Sequence, residues 1–120
     1  MSTLNVSNIS DGTDTVGTSY VVNGSAKVWV RFNGTGAIAI TSSQNVSSID
    51  DDGTGDYGVN YTNNMSNANY TTTTGATSSA TLTAIRLDTL SASSADIRTF
   101  DNSSTVDALN VALNIQGDLA

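Results

Sequence analysis

Residues 26–40 alternate between apolar and polar side chains with a period of two, and this pattern limits the fold more than any other feature of the chain. Successive side chains of a β-strand point to opposite faces, so the alternation predicts a strand that buries one face. The predicted inner residues are Ala26, Val28, Val30 and Phe32, and the predicted outer residues are Lys27, Trp29 and Arg31. A second alternating run, with Ile38 and Ile40, follows the tetrad Asn33-Gly34-Thr35-Gly36. Two such runs around a glycine-bearing turn predict an antiparallel hairpin.

A second segment repeats this design. Residues 46–49 precede the tetrad Asp52-Gly53-Thr54-Gly55. Tyr57, Val59 and Tyr61 then share one face of a predicted strand. The recurrence of the Asn/Asp-Gly-Thr-Gly tetrad predicts two hairpins that stack on each other.

The rest of the chain carries weaker signals. We expect the final strand at residues 111–115 and another strand at residues 82–87, because apolar and β-branched residues are frequent there. Residues 70–79 fit an exposed edge strand or a loop equally well. Residues 91–96 fit a connecting loop or one short helical turn.

Composition favours strands over helices throughout. Serine, threonine and asparagine make up 48 of the 120 residues, whereas glutamate is absent and lysine occurs once. The sequence therefore predicts an all-β fold: a small antiparallel β-sandwich or a barrel-like domain built of hairpins. We expect a single domain over residues 1–120, with an N-terminal strand or arm at 1–22 and a hairpin-rich body at 23–120. Within the arm, Leu4 and Val6 alternate weakly ahead of a turn-rich stretch.

The charge and the missing residue types argue against several function classes. The net charge of −7, with only four basic residues, argues against nucleic-acid binding, which needs clustered cations. No apolar run approaches the roughly 20 residues that span a bilayer, so we expect no membrane insertion. Histidine and cysteine are absent, so we expect no catalytic site and no bound cofactor. The pair of Ser25 and Lys27 is only a weak match to a Ser–Lys nucleophile.

Four aspartates fall within seven residues and form the one cluster that resembles a metal site. Asp50, Asp52 and Asp56 are the calcium candidates, because calcium takes carboxylate oxygen ligands. The spacing fits poorly, since the twelfth position counted from Asp50 is Tyr61, where an EF-hand loop has a glutamate. Solvated carboxylates around an Asp-Gly turn explain the cluster better, so we expect no bound metal.

A chain of this size buries only a modest core, and without cysteine it has no disulfides to supplement that core. We therefore expect the protein to form a homo-oligomer, because association buries further apolar area and covers strand edges. The outward stripe of Lys27, Trp29 and Arg31 is available for packing against a neighbouring subunit.

Several segments resemble tail-fibre and related virion proteins of bacteriophages, notably of marine and cyanobacterial phages. The most specific is NGSAKVWVRFNGTG at residues 23–36. The resemblance continues at residues 45–62, 65–70 and 109–117 and at the opening residues 2–6. It implies a β-rich, trimeric virion component without catalytic residues. The packing or subunit contacts that it implies are Trp29, Phe32, Tyr57, Val59 and Tyr61.

Three functions are consistent with these features. The first is a trimeric capsid decoration or cement protein, or a head knob, that binds the major capsid protein in the virion. The second is a tail-fibre or tail-adaptor module that binds tail proteins and contacts the host surface, including its glycans. The third is a free carbohydrate-binding β-domain that stacks sugars on Tyr57 and Tyr61. We favour the first, because the sequence shows no separate anchor and receptor-binding tip.

Overall fold

The computed structural model describes residues 1–77, 82 and 84–120. These residues form antiparallel strands and one short helix, which confirms the predicted all-β class. The elements are β1 (Asn8–Ser10), β2 (Thr15–Gly17), α1 (Thr18–Gly24), β3 (Ala26–Asn33), β4 (Ala39–Gln44), β5 (Val46–Gly53), β6 (Asp56–Tyr61), β7 (Thr71–Thr77), β8 (Ala84–Leu90), β9 (Ser94–Asp101), β10 (Ser104–Thr105) and β11 (Asn110–Gln116).

Four strands form one sheet in the order β4-β3-β11-β7. The predicted hairpin of β3 and β4 is confirmed, with Phe32 opposite Ile40. The predicted final strand is β11, which pairs with β3 on one side and with β7 on the other. The ambiguous segment 70–79 therefore contains an edge strand, β7, while residues 78 and 79 lie outside the described part of the chain.

The second sheet has β9 at its centre, with β6 and then β5 on one side and β8 on the other. The short β10 pairs with the last two residues of β9. The predicted hairpin of β5 and β6 is confirmed, with Val46 opposite Tyr61. The two predicted hairpins thus belong to different sheets and stack across the molecule.

Two predictions in this sheet need correction. The strand predicted at residues 82–87 is β8, which begins two residues later; residue 83 lies outside the described part. The loop or helical turn expected at residues 91–96 is wrong for its second half, because β9 begins at Ser94 and pairs there with β6. Ala95 is fully buried, so this polar-looking segment is held in the sheet by its neighbours.

The two sheets pack face to face as a β-sandwich, and their inner faces form one core. The inward residues of β3 and β6 are the apolar half of each predicted alternation, as expected for strands that bury one face. Burying each large apolar side chain stabilises the fold by about 1.5–3 kcal/mol. The core contains Val28, Val30, Phe32, Tyr57, Val59, Tyr61, Met65, Tyr70, Ala95, Ile97, Ala108, Val111, Leu113 and Ile115.

Both glycine tetrads hydrogen-bond to the segment that precedes β11. The N–H of Gly34 donates a 3.0 Å hydrogen bond to the carbonyl oxygen of Ala108. The N–H of Gly55 donates a 2.7 Å hydrogen bond to the Asp107 carboxylate. Gly55 has φ +64°, and a Cβ there would lie 2.6 Å from the carbonyl oxygen of Val106, so only glycine fits.

Residues 1–24 form an N-terminal arm outside the core, and none of their side chains is buried. The arm contains the hairpin β1–β2, whose turn is held by Asp11: its carboxylate accepts 2.9 Å hydrogen bonds from two backbone N–H groups. These hydrogen bonds lower the pKa of Asp11. The weak alternation of Leu4 and Val6 lies ahead of the first strand, which begins at Asn8.

Helix α1 follows the hairpin and was not predicted from the sequence. It contains the β-branched residues Val21 and Val22 and has no side-chain cap at its N-terminus. Its C-terminal carbonyl groups find partners in the sandwich: Lys27 donates to the last turn, and Gln116 donates a 2.8 Å hydrogen bond to Gly24. The base of the arm is thus hydrogen-bonded to β3 and β11.

Candidate assembly surfaces

Four of the five predicted packing or contact residues lie in the core. Phe32, Tyr57 and Val59 are 0% exposed and Tyr61 is 6% exposed. The rings of Phe32 and Tyr57 meet edge to face, with their centroids 5.2 Å apart. These four side chains pack inside one chain, so among the five only Trp29 has surface to offer a neighbouring molecule.

Trp29 lies on the outward side of the four-stranded sheet, where its indole N–H donates a 3.1 Å hydrogen bond to Gln44. In the same sheet, Ala112 pairs with Arg31 on one side and with Gly75 on the other. Two such small residues side by side leave a shallow hollow of about 330 Å³. We call this surface the outer sheet face; the hollow is lined by Arg31, Gly75, Ala76, Thr77, Asn110 and Ala112.

Arg31 is the arginine that has no carboxylate partner among the described residues. Arg98 donates to Asp56 at 2.9 Å and lies 3.2 Å from Asp88, and Arg86 lies 2.9 Å from Asp88. Arg31 instead donates to a neutral side-chain amide at 3.1 Å, and it is exposed. In a chain with a net charge of −7, it presents a positive charge that is in no ion pair with a described residue.

The two sheets differ in how their edges are protected. The edge strands β4 (AITSSQ) and β7 (TTTTGAT) of the four-stranded sheet contain no charged residue. The edge strands of the other sheet carry Asp50, Asp51 and Asp52 in β5 and Arg86 and Asp88 in β8. Charged side chains on an edge discourage pairing with another chain. The four-stranded sheet is therefore the one with edges open to association.

The N-terminal arm is the second surface suited to association. Ile9 and Val16 pair across its hairpin and are 46% and 40% exposed. The side chain of Asp14 lines the same surface depression, and its carboxylate has no partner among the described residues. The arm contributes to a long molecule, 50 × 28 × 24 Å, whose radius of gyration of 16.7 Å exceeds the roughly 14 Å of a compact 120-residue domain.

Carboxylates collect on the outward side of the five-stranded sheet around Gly58, which pairs with Asp50 and with Asp96. Burial raises the pKa of the Asp96 carboxyl group, against a hydrogen bond with Thr89 that lowers it. Three neighbouring carboxylates raise the pKa further: those of Asp52, Asp56 and Asp88. Ionisation of Asp96 is therefore less favourable in the folded protein than in the unfolded chain.

The three calcium candidates do not form a ligand set. Asp50 accepts a 2.8 Å hydrogen bond from Asn60, while Asp56 is paired with Arg98. Asp52 faces Gly58 from β5. In the part of the chain that the structure describes, no group of three or more acidic, histidine or cysteine side chains is placed to hold a metal ion.

The pair of Ser25 and Lys27 has a structural place at the end of α1. The ammonium group of Lys27 donates 2.9 Å hydrogen bonds to the hydroxyl and to the carbonyl oxygen of Ser25, and it also donates to the carbonyl oxygen of Val22. These three acceptors match the three donors of an ammonium group. The pair therefore hydrogen-bonds to the C-terminal end of the helix.

The tyrosines expected to stack sugars are not accessible. Tyr57 and Tyr61 lie in the core, and the hydroxyl groups of Tyr61 and Tyr70 are 2.8 Å apart. Burial, followed by this hydrogen bond, raises the pKa of Tyr61. The stacking platform predicted for Tyr57 and Tyr61 is therefore wrong, and the exposed aromatic ring on the arm is that of Tyr20.

Sequence reasoning missed the apolar side of the arm, although a signal was present. Ile9 and Val16 flank an Asp-Gly dipeptide, Asp11-Gly12, which is typical of a hairpin turn. The hollow on the outer sheet face had no comparable signal. It depends on the register that brings Ala112 beside Gly75, and these residues are far apart in the sequence.

Comparison with protein families, with curated proteins and with solved structures finds no match for this chain. Within the described residues, no helix has the length and apolar character needed to cross a membrane. Function is therefore inferred from the surfaces described above and from the resemblance of residues 23–36.

Proposed function

We propose that this chain is the subunit of a homo-oligomeric structural protein of a bacteriophage virion, a trimer that decorates or cements the capsid. The observation that carries this proposal is the N-terminal arm, residues 1–24, which has no buried side chain and exposes several apolar ones. Exposed apolar side chains concentrated in one segment fit an interaction site, and association with other subunits would cover them. The resemblance of residues 23–36 to phage virion proteins is the reason for proposing that the protein is part of a virion.

The polar groups of the sandwich support a structural role, because they are used to hold the chain together. The Asp56 and Asp88 carboxylates are bound by Arg98, and Asp107 accepts from the backbone of Gly55. The Tyr57 hydroxyl is bonded to backbone groups of the turns. A capsid decoration protein uses surfaces that join copies and bind the shell, and such binding stabilises the folded subunits.

A tail-fibre or tail-adaptor module is the second candidate. Residues 23–36, the segment most like phage tail-fibre proteins, run from the end of α1 through β3 to the turn that follows it. Trp29 and Arg31 of β3 lie on the outer sheet face. The segment that resembles tail-fibre proteins therefore contributes to a surface suited to association. A free carbohydrate-binding domain has less support, because Tyr57 and Tyr61 are buried.

The copy number of this chain per purified phage particle, measured by quantitative mass spectrometry against the major capsid protein, tests the proposal. Hundreds of copies are expected for a capsid decoration protein. A few tens or fewer would favour the tail-adaptor candidate, and absence from particles would overturn both virion functions. Sedimentation equilibrium of the purified chain supplies the second readout, with an expected mass of about three times 12.3 kDa.

A further inference from the structure

We infer that the N-terminal arm of one copy docks on the outer sheet face of a second copy, with Ile9 and Val16 over the hollow at Ala112 and with Asp14 beside Arg31. This inference rests on one part of the proposed function, namely that the protein is a homo-oligomer. It adds which surfaces join the copies.

The outer sheet face has room for apolar side chains of the arm. Ile9 and Val16 are directly opposite each other in the hairpin, so their side chains form one apolar pair. The hollow is floored by Ala112 and Gly75, and a Cβ placed on Gly75 would meet no atom within 4 Å. The outer sheet face therefore has free space for the apolar side chains that the arm exposes.

The charges of the two surfaces are complementary. Asp14 is an exposed carboxylate without a described partner, and it lines the same depression as Ile9 and Val16. Arg31 is an exposed guanidinium without a described carboxylate partner and lines the hollow. Since the chain carries a net charge of −7, copies repel each other, and an opposite pair at the contact offsets part of this repulsion. Arg31 and Asp14 provide that pair.

The chain exposes more area than a compact monomer of its mass. The chain has 7002 Å² of accessible surface, whereas a compact monomer of 12.3 kDa has about 6,100 Å². The excess of roughly 900 Å² is close to the roughly 800 Å² that each partner buries in a stable protein–protein interface. An arm that lies against a second copy would remove this excess.

The contact joins two different surfaces, so each copy donates one arm and accepts one. Repetition of such a contact closes a ring when the rotation between copies fits, and a trimer has three equivalent contacts of this type. The edge strand β7 lines the hollow and the other edge strand, β4, lies beyond β3; neither carries a charged residue.

Thiol cross-linking tests the contact directly, because the chain contains no cysteine. Val16→Cys and Ala112→Cys variants are purified separately, with a tag on one of them, then mixed and treated with a short bis-maleimide. We expect a cross-linked heterodimer from this mixture. The matched control replaces Ala112→Cys by Ser48→Cys, an exposed position of β5 in the other sheet, and should yield at least tenfold less heterodimer.

Substitutions test the same contact without a cross-linker. Arg31→Asp should weaken association at least tenfold, and Asp14→Arg in the same chain should restore much of it by exchanging the two charges. Gly75→Leu fills the hollow and should also weaken association at least tenfold. Ser48→Leu, which adds the same side chain to the other sheet, should change the association constant by less than twofold.

Sedimentation of the unmodified protein separates the possible failures. A monomer would overturn this inference together with the homo-oligomer of the proposed function. An oligomer in which Val16→Cys cross-links equally well to Ala112→Cys and to Ser48→Cys would overturn the arm contact alone. A Val16→Cys/Ala112→Cys double variant that cross-links only within one chain would overturn docking on a second copy.

Discussion

The hydroxyl group of Tyr57 donates a 3.0 Å hydrogen bond to the carbonyl oxygen of Gly34 and so ties one sheet to the other at the turn that follows β3. The same hydroxyl accepts a 3.2 Å hydrogen bond from the N–H of Ala108. A Cβ on residue 34 would lie 2.4 Å from this oxygen, so the close approach requires glycine. The first glycine tetrad is therefore fixed by a side chain of the second hairpin.

Tyr57→Phe should destabilise the protein by about 1–3 kcal/mol, because it leaves buried backbone groups of Gly34 and Ala108 without a hydrogen-bond partner. Urea unfolding followed by fluorescence measures the free energy of unfolding. Tyr20→Phe is the matched control, since Tyr20 is 76% exposed and should change stability by less than about 0.5 kcal/mol. Equal stabilities for the two variants would contradict the role given to the Tyr57 hydroxyl.

The two hairpins could be predicted from the sequence because their signals are local. The alternation along β3 and β6 specifies each strand and its buried face. The glycine tetrad at the end of β3 and of β5 specifies the turn that follows. Helix α1 could not be predicted, because its stability depends on partners outside it. Its end is held by Gln116, 92 residues away along the chain, and local propensity argues against it.

One part of the outer sheet face could likewise be predicted from the local sequence, and another part could not. The outward direction of Trp29 and Arg31 follows from the period of two, so the sequence was sufficient for it. The hollow needed the register of three strands, which brings Arg31, Ala112 and Gly75 side by side. Sheet register between distant segments is a property of the packed fold, and no local pattern encodes it.

Gly36 and Gly55 are the fourth residues of the two tetrads. Substituting each by alanine separates the free-energy cost of backbone strain from the cost of a steric clash. Gly36 and Gly55 have nearly the same left-handed conformation, with φ +62° and +64°. Around Gly36 nothing lies within 4 Å of an added Cβ, so Gly36→Ala should cost only about 1–2 kcal/mol for the left-handed conformation. Gly55→Ala places its methyl group 2.6 Å from the backbone of Val106 and 2.7 Å from that of Thr99, and should cost more than about 4 kcal/mol.

Urea unfolding and the soluble yield of both variants check this difference. Loss of soluble Gly55→Ala protein alongside a folded Gly36→Ala protein would agree with the packing argument. Similar costs for the two substitutions would show that the contact between Gly55 and Val106 is not needed for folding.

Asp96→Asn should raise the midpoint of thermal unfolding by a few degrees at pH 7. The pKa of Asp96 is raised in the folded protein, mainly by burial, so the folded state binds this proton more tightly than the unfolded state does. Stability then falls as pH rises from the unfolded pKa through the folded pKa, and at neutral pH the charged side chain destabilises the fold. The asparagine variant removes this penalty.

The gain from Asp96→Asn should disappear near pH 3, where the carboxyl group is largely protonated in both states. Asp118→Asn, at an exposed position near the C-terminus, controls for the change in net charge. An equal gain from both variants at pH 7 would mean that net charge, rather than the surroundings of Asp96, causes the effect.

Trp29→Ala separates association from folding. Trp29 lies on the outer sheet face and contacts Gln44 through its indole N–H, so its loss should lower the stability of the isolated chain by only about 1 kcal/mol. Aromatic residues dominate the energy of many interfaces, so the same substitution should weaken association at least tenfold. Phe32→Ala, a fully buried neighbour in β3, should instead cost about 3–5 kcal/mol of folding stability. Sedimentation equilibrium and thermal unfolding of both variants measure the two effects, and a Trp29→Ala protein with unchanged mass and unchanged melting temperature would remove Trp29 from the interface.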